Sequence, residues 1–171
     1  MNIVAISGSL RTNSSNTNLL RAVAKLASSD TEVTLYEGIG ELPHFNPDID
    51  GDESPAAVTA WRQQLKAADG VIVCTPEYAG GVPGVLKNAL DWLVSSGEFL
   101  DKPTVIISAS PLQTGAEQAH ASLYITLKMM TAKITGRLTV PLVNKKITAE
   151  GTITDTALEE EIKALFIQMV P

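Results

Sequence analysis

The sequence predicts an α/β fold, a doubly wound parallel sheet with helices on both faces. Three observations predict it. Short, nearly unbroken apolar runs occupy residues 3–6, 71–74 and 105–107, the pattern of strands buried on both faces. Segments of helical period separate these runs, which implies parallel strands joined by crossover helices. Composition agrees: 171 residues, 44% hydrophobic and 19% charged, describe one soluble globular domain whose core needs no disulfide or structural metal.

The first strand holds Ile3, Val4, Ala5 and Ile6, and the helix after it, expected to begin near Leu19, carries Leu19, Leu20, Val23 and Leu26 on one stripe. Residues 32–36 alternate in polarity, which points to a strand at the sheet edge. Residues 37–55 make a long Gly/Pro/Asp-rich loop, of a length often given to function. After the strand at 71–74, Val85, Leu86, Ala89, Leu90 and Leu93 recur at three and four. Leu138, Thr139 and Val140 alternate and are followed by Pro141, a second edge strand. The last helix is the clearest: Leu158, Ile162, Leu165, Phe166 and Met169 share one face, and Thr154, Asp155 and Thr156 are cap candidates. The total is five strands and five helices, with no internal repeat.

Charge and cysteine usage narrow the function classes. Lys and Arg number 13 against 19 Asp and Glu, a net charge of −6 with no basic block, which disfavours nucleic acid and anionic membranes as partners. Cys74 is the single cysteine, so no intrachain disulfide or redox dithiol forms and a reducing compartment is expected. No apolar stretch approaches the roughly 18 residues of a membrane span, and no basic segment precedes the first apolar run. A cytoplasmic location is the expectation.

Open α/β sheets bind ligands beyond the carboxyl ends of their central strands, so the loops to inspect begin near Ser7, Thr75 and Ser108. Residues 7–18 contain four serines, two threonines, three asparagines, Gly8 and Arg11. Hydroxyls, amides at a helix amino end and a guanidinium together suit a phosphate dianion. The same residues also fit an ordinary cap, with Asn16 or Ser15 closing the helix. Arg11 favours the phosphate, because a turn needs no guanidinium whereas a phosphate gains from bidentate contact. The segment lacks both GxxxxGK[ST] and GxGxxG, which argues against a nucleotide triphosphatase and a standard dinucleotide fold. The loop at residues 75–84 has two prolines and three glycines in ten positions, a stiff frame in which Tyr78 can pack on a planar ring and the backbone at 76–78 can bond its edge.

Together, GSLRTNSSN and PEYAGGVPGVLKNALDWL resemble the NADPH-dependent FMN reductase family of the flavodoxin-like fold, whose relatives include quinone, azo-dye and chromate reductases. The resemblance runs through nearly the whole chain. It implies a single domain over residues 1–171, strand order 2-1-3-4-5, and FMN at the carboxyl edge of the sheet. It also implies NADPH as reductant, and a flavin, quinone or similar small molecule as acceptor. The family's phosphate loop falls on Ser9, Arg11, Ser14, Ser15, Asn16 and Thr17, and its flavin-edge loop on Pro76, Glu77 and Tyr78. After the fourth strand relatives carry a Gly-Gly pair where only Gly115 remains here, so Ser110 and Gly115 are the site candidates of that loop. Ala79-Gly80 stands where many relatives have Asn-Gly. No catalytic side chain is implied, since the flavin carries the chemistry, and Glu77 takes a structural or cofactor-contact role. Homodimers or homotetramers are the family habit, and residues 85–93 with Trp92 offer apolar surface for them. The competing class is an FMN-binding electron carrier without NADPH turnover, disfavoured because the first loop reads SGSLR and not the Thr-rich loop of flavodoxins.

Three groups have blander expectations. His44 and His120 lack metal spacing, and His120 reads as a solvated or core-edge residue. Asp48, Asp50, Asp52 and Glu53 read as a solvated acidic loop.

Overall fold

The computed structural model describes residues 1–51 and 54–169. Its strands are β1 (Asn2–Ser7), β2 (Glu32–Tyr36), β3 (Gly70–Thr75), β4 (Pro103–Ala109) and β5 (Lys133–Val140). They form one parallel sheet in the order β2-β1-β3-β4-β5, with Ile6 opposite both Tyr36 and Val73. All six residues of β3 are buried, whereas β2 has no fully buried residue, as expected of a central and an edge strand.

Five helices cover the sheet: α1 (Ser15–Lys25), α2 (Ala56–Ala67), α3 (Gly84–Asp91), α4 (Glu117–Met129) and α5 (Thr156–Met169). Leu19, Leu20 and Val23 of α1 pack with Leu158, Ile162 and Leu165 of α5 on one face. Trp61 and Leu65 of α2, Leu86 and Leu90 of α3, and Leu123 and Leu127 of α4 cover the other. Burying one such side chain is worth about 1.5–3 kcal/mol, so the two apolar layers hold the sheet flanked on both sides. Because the chain leaves β1 toward β2 and later crosses to β3 on the opposite side, loops diverge above β1 and β3 and leave a crevice there.

Four expectations change in detail. The first helix starts at Ser15, one turn before Leu19, because the Ser14 hydroxyl caps it by accepting from the Thr17 amide at 3.3 Å. The loop after β2 is not merely solvated: Asp50 pairs with Arg62 at 2.5 Å and accepts from Ser95 at 2.7 Å, and its carboxyl is held below the usual range chiefly by the Arg62 hydrogen bond. Asp48 is exposed, and Asp52 and Glu53 lie outside the described residues. Trp92 is fully buried, its indole Nε1 donating to the Pro43 carbonyl at 2.8 Å, so it belongs to the core and offers no surface to a partner. His120 is likewise buried. Asp155 fulfils its cap role through a 3.0 Å bond from the Leu158 amide.

No helix among the described residues is long and apolar enough to cross a membrane.

Candidate functional site

The crevice is assembled by three loops that bond to one another. Gly8, the first residue past β1, donates its amide to the Cys74 carbonyl of β3 at 2.8 Å. A Cβ at Gly8 would lie 2.9 Å from Leu86 Cδ2 and 3.3 Å from Pro76 Cδ, so glycine lets the first loop sit directly on the loop after β3. Ser9 is buried, and its hydroxyl meets the Tyr78 hydroxyl at 3.2 Å. The two loops carrying the family motifs are thus one structure.

Within the first loop, residues divide by what they already hold. Ser14 caps α1, and Thr17 Oγ1 lies 2.8 Å from Ser7 Oγ at the end of β1. Asn16 is turned inward: its Nδ2 donates to the Ala109 carbonyl at 3.2 Å and its Oδ1 accepts from the Cys74 thiol at 3.2 Å, which pins the first turn of α1 to the ends of β3 and β4. Burial pushes the Cys74 thiol well above its ordinary value, so it stays protonated as a donor. Among the described residues the Arg11 side chain has no hydrogen-bond partner, nor do the amides of Ser15 and Asn16 at the amino end of α1. Arg11 lines a cavity of about 260 Å³ together with Ser7, Ser9, Thr12, Thr17 and Arg21. Glu37, 4.0 Å from Arg21, also lines this cavity, whereas Ser15 lies at a separate one beside it. The unpartnered Arg11 guanidinium and the free amides at the start of α1 are the donors of this loop that an anion could use.

The loop after β3 turns on itself. Tyr78 and Gly81 exchange both backbone bonds at 3.1 Å, and Ala79 and Gly80 between them have φ of +51° and +74°. Both central residues at positive φ make a primed two-residue turn, which favours Asn-Gly. Ala79 therefore occupies, at some cost, a turn position that favours Asn. Glu77 reaches across to α4: its Oε2 accepts from the amides of Gln118 at 2.9 Å and Ala119 at 3.1 Å.

The loop after β4 is tied to β5. Ser110 is buried; its amide donates to the Val140 carbonyl at 3.2 Å and its hydroxyl accepts from the Leu112 amide at 3.1 Å. Gly115 has φ of +61°, and a Cβ there would collide with Thr139 Cγ2 and approach the Pro141 nitrogen to 3.2 Å. Ala116, at the α4 cap position, also has positive φ, +66°. The three loops each present one large apolar side chain to solvent: Leu10, Tyr78 and Leu112.

Behind this wall lies a polar chain that sequence reading missed. His120 Nδ1 lies 3.0 Å from Ser108 Oγ, and its Nε2 accepts from Arg137 Nε at 3.1 Å. Since Nε2 accepts, the ring proton sits on Nδ1 and is donated to Ser108. Burial first, and the Arg137 charge second, push the imidazole down to about 4. His120 is a neutral brace between β4, α4 and β5, not a metal ligand or a base. Only the helical phase of position 120 could have hinted at this.

Fold and site together define a flavodoxin-like protein with a crevice, lined by hydroxyls and Arg11, at the carboxyl edge of its sheet. The comparisons particularise that class. The chain belongs to the NADPH-dependent FMN reductase family, whose model matches residues 1–146. It is 34% identical over 137 residues to a quinone reductase of Escherichia coli K12, covering 78% of this chain and 73% of the relative. It is 40% identical over 125 residues to a 2-hydroxy-1,4-benzoquinone reductase of a Burkholderia species, covering 70% and 67%. Among solved structures it superposes on the flavoenzyme NAD(P)H:(acceptor) oxidoreductase of Paracoccus denitrificans with a TM-score of 0.82 at 28% identity, covering 98% of this chain and 94% of that one. The chain is an FMN-dependent oxidoreductase that draws on NAD(P)H.

Proposed function

We propose that this chain passes reducing equivalents from NADPH through FMN to a quinone or comparable small acceptor, acting as one domain over residues 1–171. The observation that carries the reading is the unsatisfied donor set of the first loop, hydrogen-bonded through Ser9 to the Tyr78 turn. In this reading Arg11 and the amides of Ser15 and Asn16 hold the phosphate, with the hydroxyls of Ser9, Ser14 and Thr17 around it. Pro76, Glu77 and Tyr78 border the ring on one side, and Ser110 and Gly115 on the other. FMN, when bound, accepts hydride from the nicotinamide and returns electrons to the acceptor.

This chain's own part is to hold and orient. The backbone at 76–78 and the loop from Ser110 to Gly115 are each fixed by bonds to neighbouring elements, so the ring edge meets donors already in place. Leu10, Tyr78 and Leu112 give the rim apolar surface suited to a planar quinone. With one rim serving both reductant and acceptor, the two bind in turn and the kinetics are ping-pong. Quinone reductases among the relatives support the acceptor class.

A homodimer or homotetramer belongs to the same reading, and with Trp92 in the core its apolar surface comes from exposed Val94, Leu100, Ile125 and Met129. A cytoplasmic setting agrees with the single, buried, unpaired thiol. Anaerobic mixing of the FMN-loaded protein with NADPH tests the reading. Bleaching of the yellow absorbance, reversed by a benzoquinone, is expected; absorbance unchanged by NADPH would make the protein a carrier and overturn it.

A further inference from the structure

We propose that Glu77 is a positioning residue that clamps the two ring-bordering loops together and lowers the positive potential at the amino end of α4. The proposal rests on the FMN reading above. Its basis is a helix that lacks a cap of its own. At the cap position stands Ala116, with φ of +66° and no side-chain acceptor, and Gly115 before it also has positive φ. The first-turn amides of Gln118 and Ala119 are satisfied instead by Glu77, 41 and 42 residues earlier in the chain. A carboxylate brought to that point from the loop after β3 does two separable things. It fixes the distance between the wall at 76–78 and the wall at 110–116. It also offsets the partial positive charge that a helix amino terminus carries.

The separation is testable because one oxygen, Oε2, accepts both bonds. A glutamine carbonyl oxygen can reproduce that geometry without the charge, whereas alanine removes both. With Glu77→Gln, the Gln118 and Ala119 amides should keep parent-like hydrogen exchange, because both bonds are retained. Reduced FMN should then gain about three- to tenfold in binding relative to oxidised FMN, because its negative charge faces a helix end left with the exposed Glu117 as its first-turn carboxylate. With Glu77→Ala, FMN should bind at least about tenfold more weakly and the Gln118 and Ala119 amides should exchange hydrogen at least about fivefold faster.

The experiment is therefore a redox titration with FMN binding on parent, Glu77→Gln and Glu77→Ala, accompanied by amide exchange on the FMN-free proteins. Parent-like exchange at Gln118 and Ala119 in Glu77→Ala overturns the clamp, as does parent-like FMN affinity in that variant. An unchanged ratio of reduced to oxidised FMN affinity in Glu77→Gln overturns the charge role. If the parent itself binds no FMN, the FMN reading has failed, and exchange at the two amides still decides whether Glu77 is the clamp.

Discussion

Acid should weaken this fold through one histidine before it protonates most carboxylates. In the folded chain His120 is pushed down to about 4 by burial and by Arg137, whereas in the unfolded chain it titrates near 6.5. The unfolded state therefore binds the extra proton between those values, and stability falls as pH drops through that window. The lost stability is on the order of 1 kcal/mol between pH 7.5 and 5.5, and about 2 kcal/mol by pH 4.5. Urea unfolding at those three pH values, on the parent and on His120→Asn, isolates the effect, since every other ionisable side chain is common to both proteins. The parent should lose more stability than the variant by these amounts. Parallel pH profiles, or a His120 ring that titrates near 6.5 in the folded protein by NMR, would refute the buried, neutral brace.

Other outcomes follow from backbone geometry and the core. Gly115→Ala should destabilise the fold by at least about 2 kcal/mol, because the added Cβ meets Thr139 and Pro141 and the position has positive φ; a melting temperature within a degree of the parent would contradict it. Ala79→Asn should raise stability by about 0.5–1 kcal/mol by supplying the residue that the Tyr78–Gly81 turn favours, read from the denaturation midpoint. Trp92→Ala should cost about 3–5 kcal/mol through the cavity left in the core, in contrast to the small effect of truncating a surface anchor.

The sheet was legible because parallel strands buried on both faces must be apolar throughout, and residues 71–74 show this without ambiguity. The two alternating strands were legible as edges for the complementary reason. What escaped were contacts between residues far apart in sequence. Asp50 looks solvated beside Asp48, yet its partners Arg62 and Ser95 come from α2 and from the turn after α3. Glu77 could be recognised as non-basic in role, but nothing in PEYAGG shows that its carboxylate closes α4. The start of α1 was read late because its first buried side chain, Asn16, is polar and so adds nothing to an apolar stripe. In the candidate site, the types of donor were visible in GSLRTNSSN; which of them remain free became visible only once Ser14, Asn16 and Thr17 showed their partners.

The central claim is that the loop past β1 recognises the phosphate of FMN, and riboflavin, which lacks that phosphate, tests it most directly. Binding of FMN and riboflavin to the flavin-free protein, and to Arg11→Ala, can be compared by fluorescence titration. FMN should bind the parent at least about 100-fold more tightly than riboflavin, and Arg11→Ala should lose about tenfold or more of that advantage while leaving riboflavin affinity near its parent value. Equal affinities for FMN and riboflavin in the parent, or an Arg11→Ala protein that discriminates as well as the parent, would contradict the account.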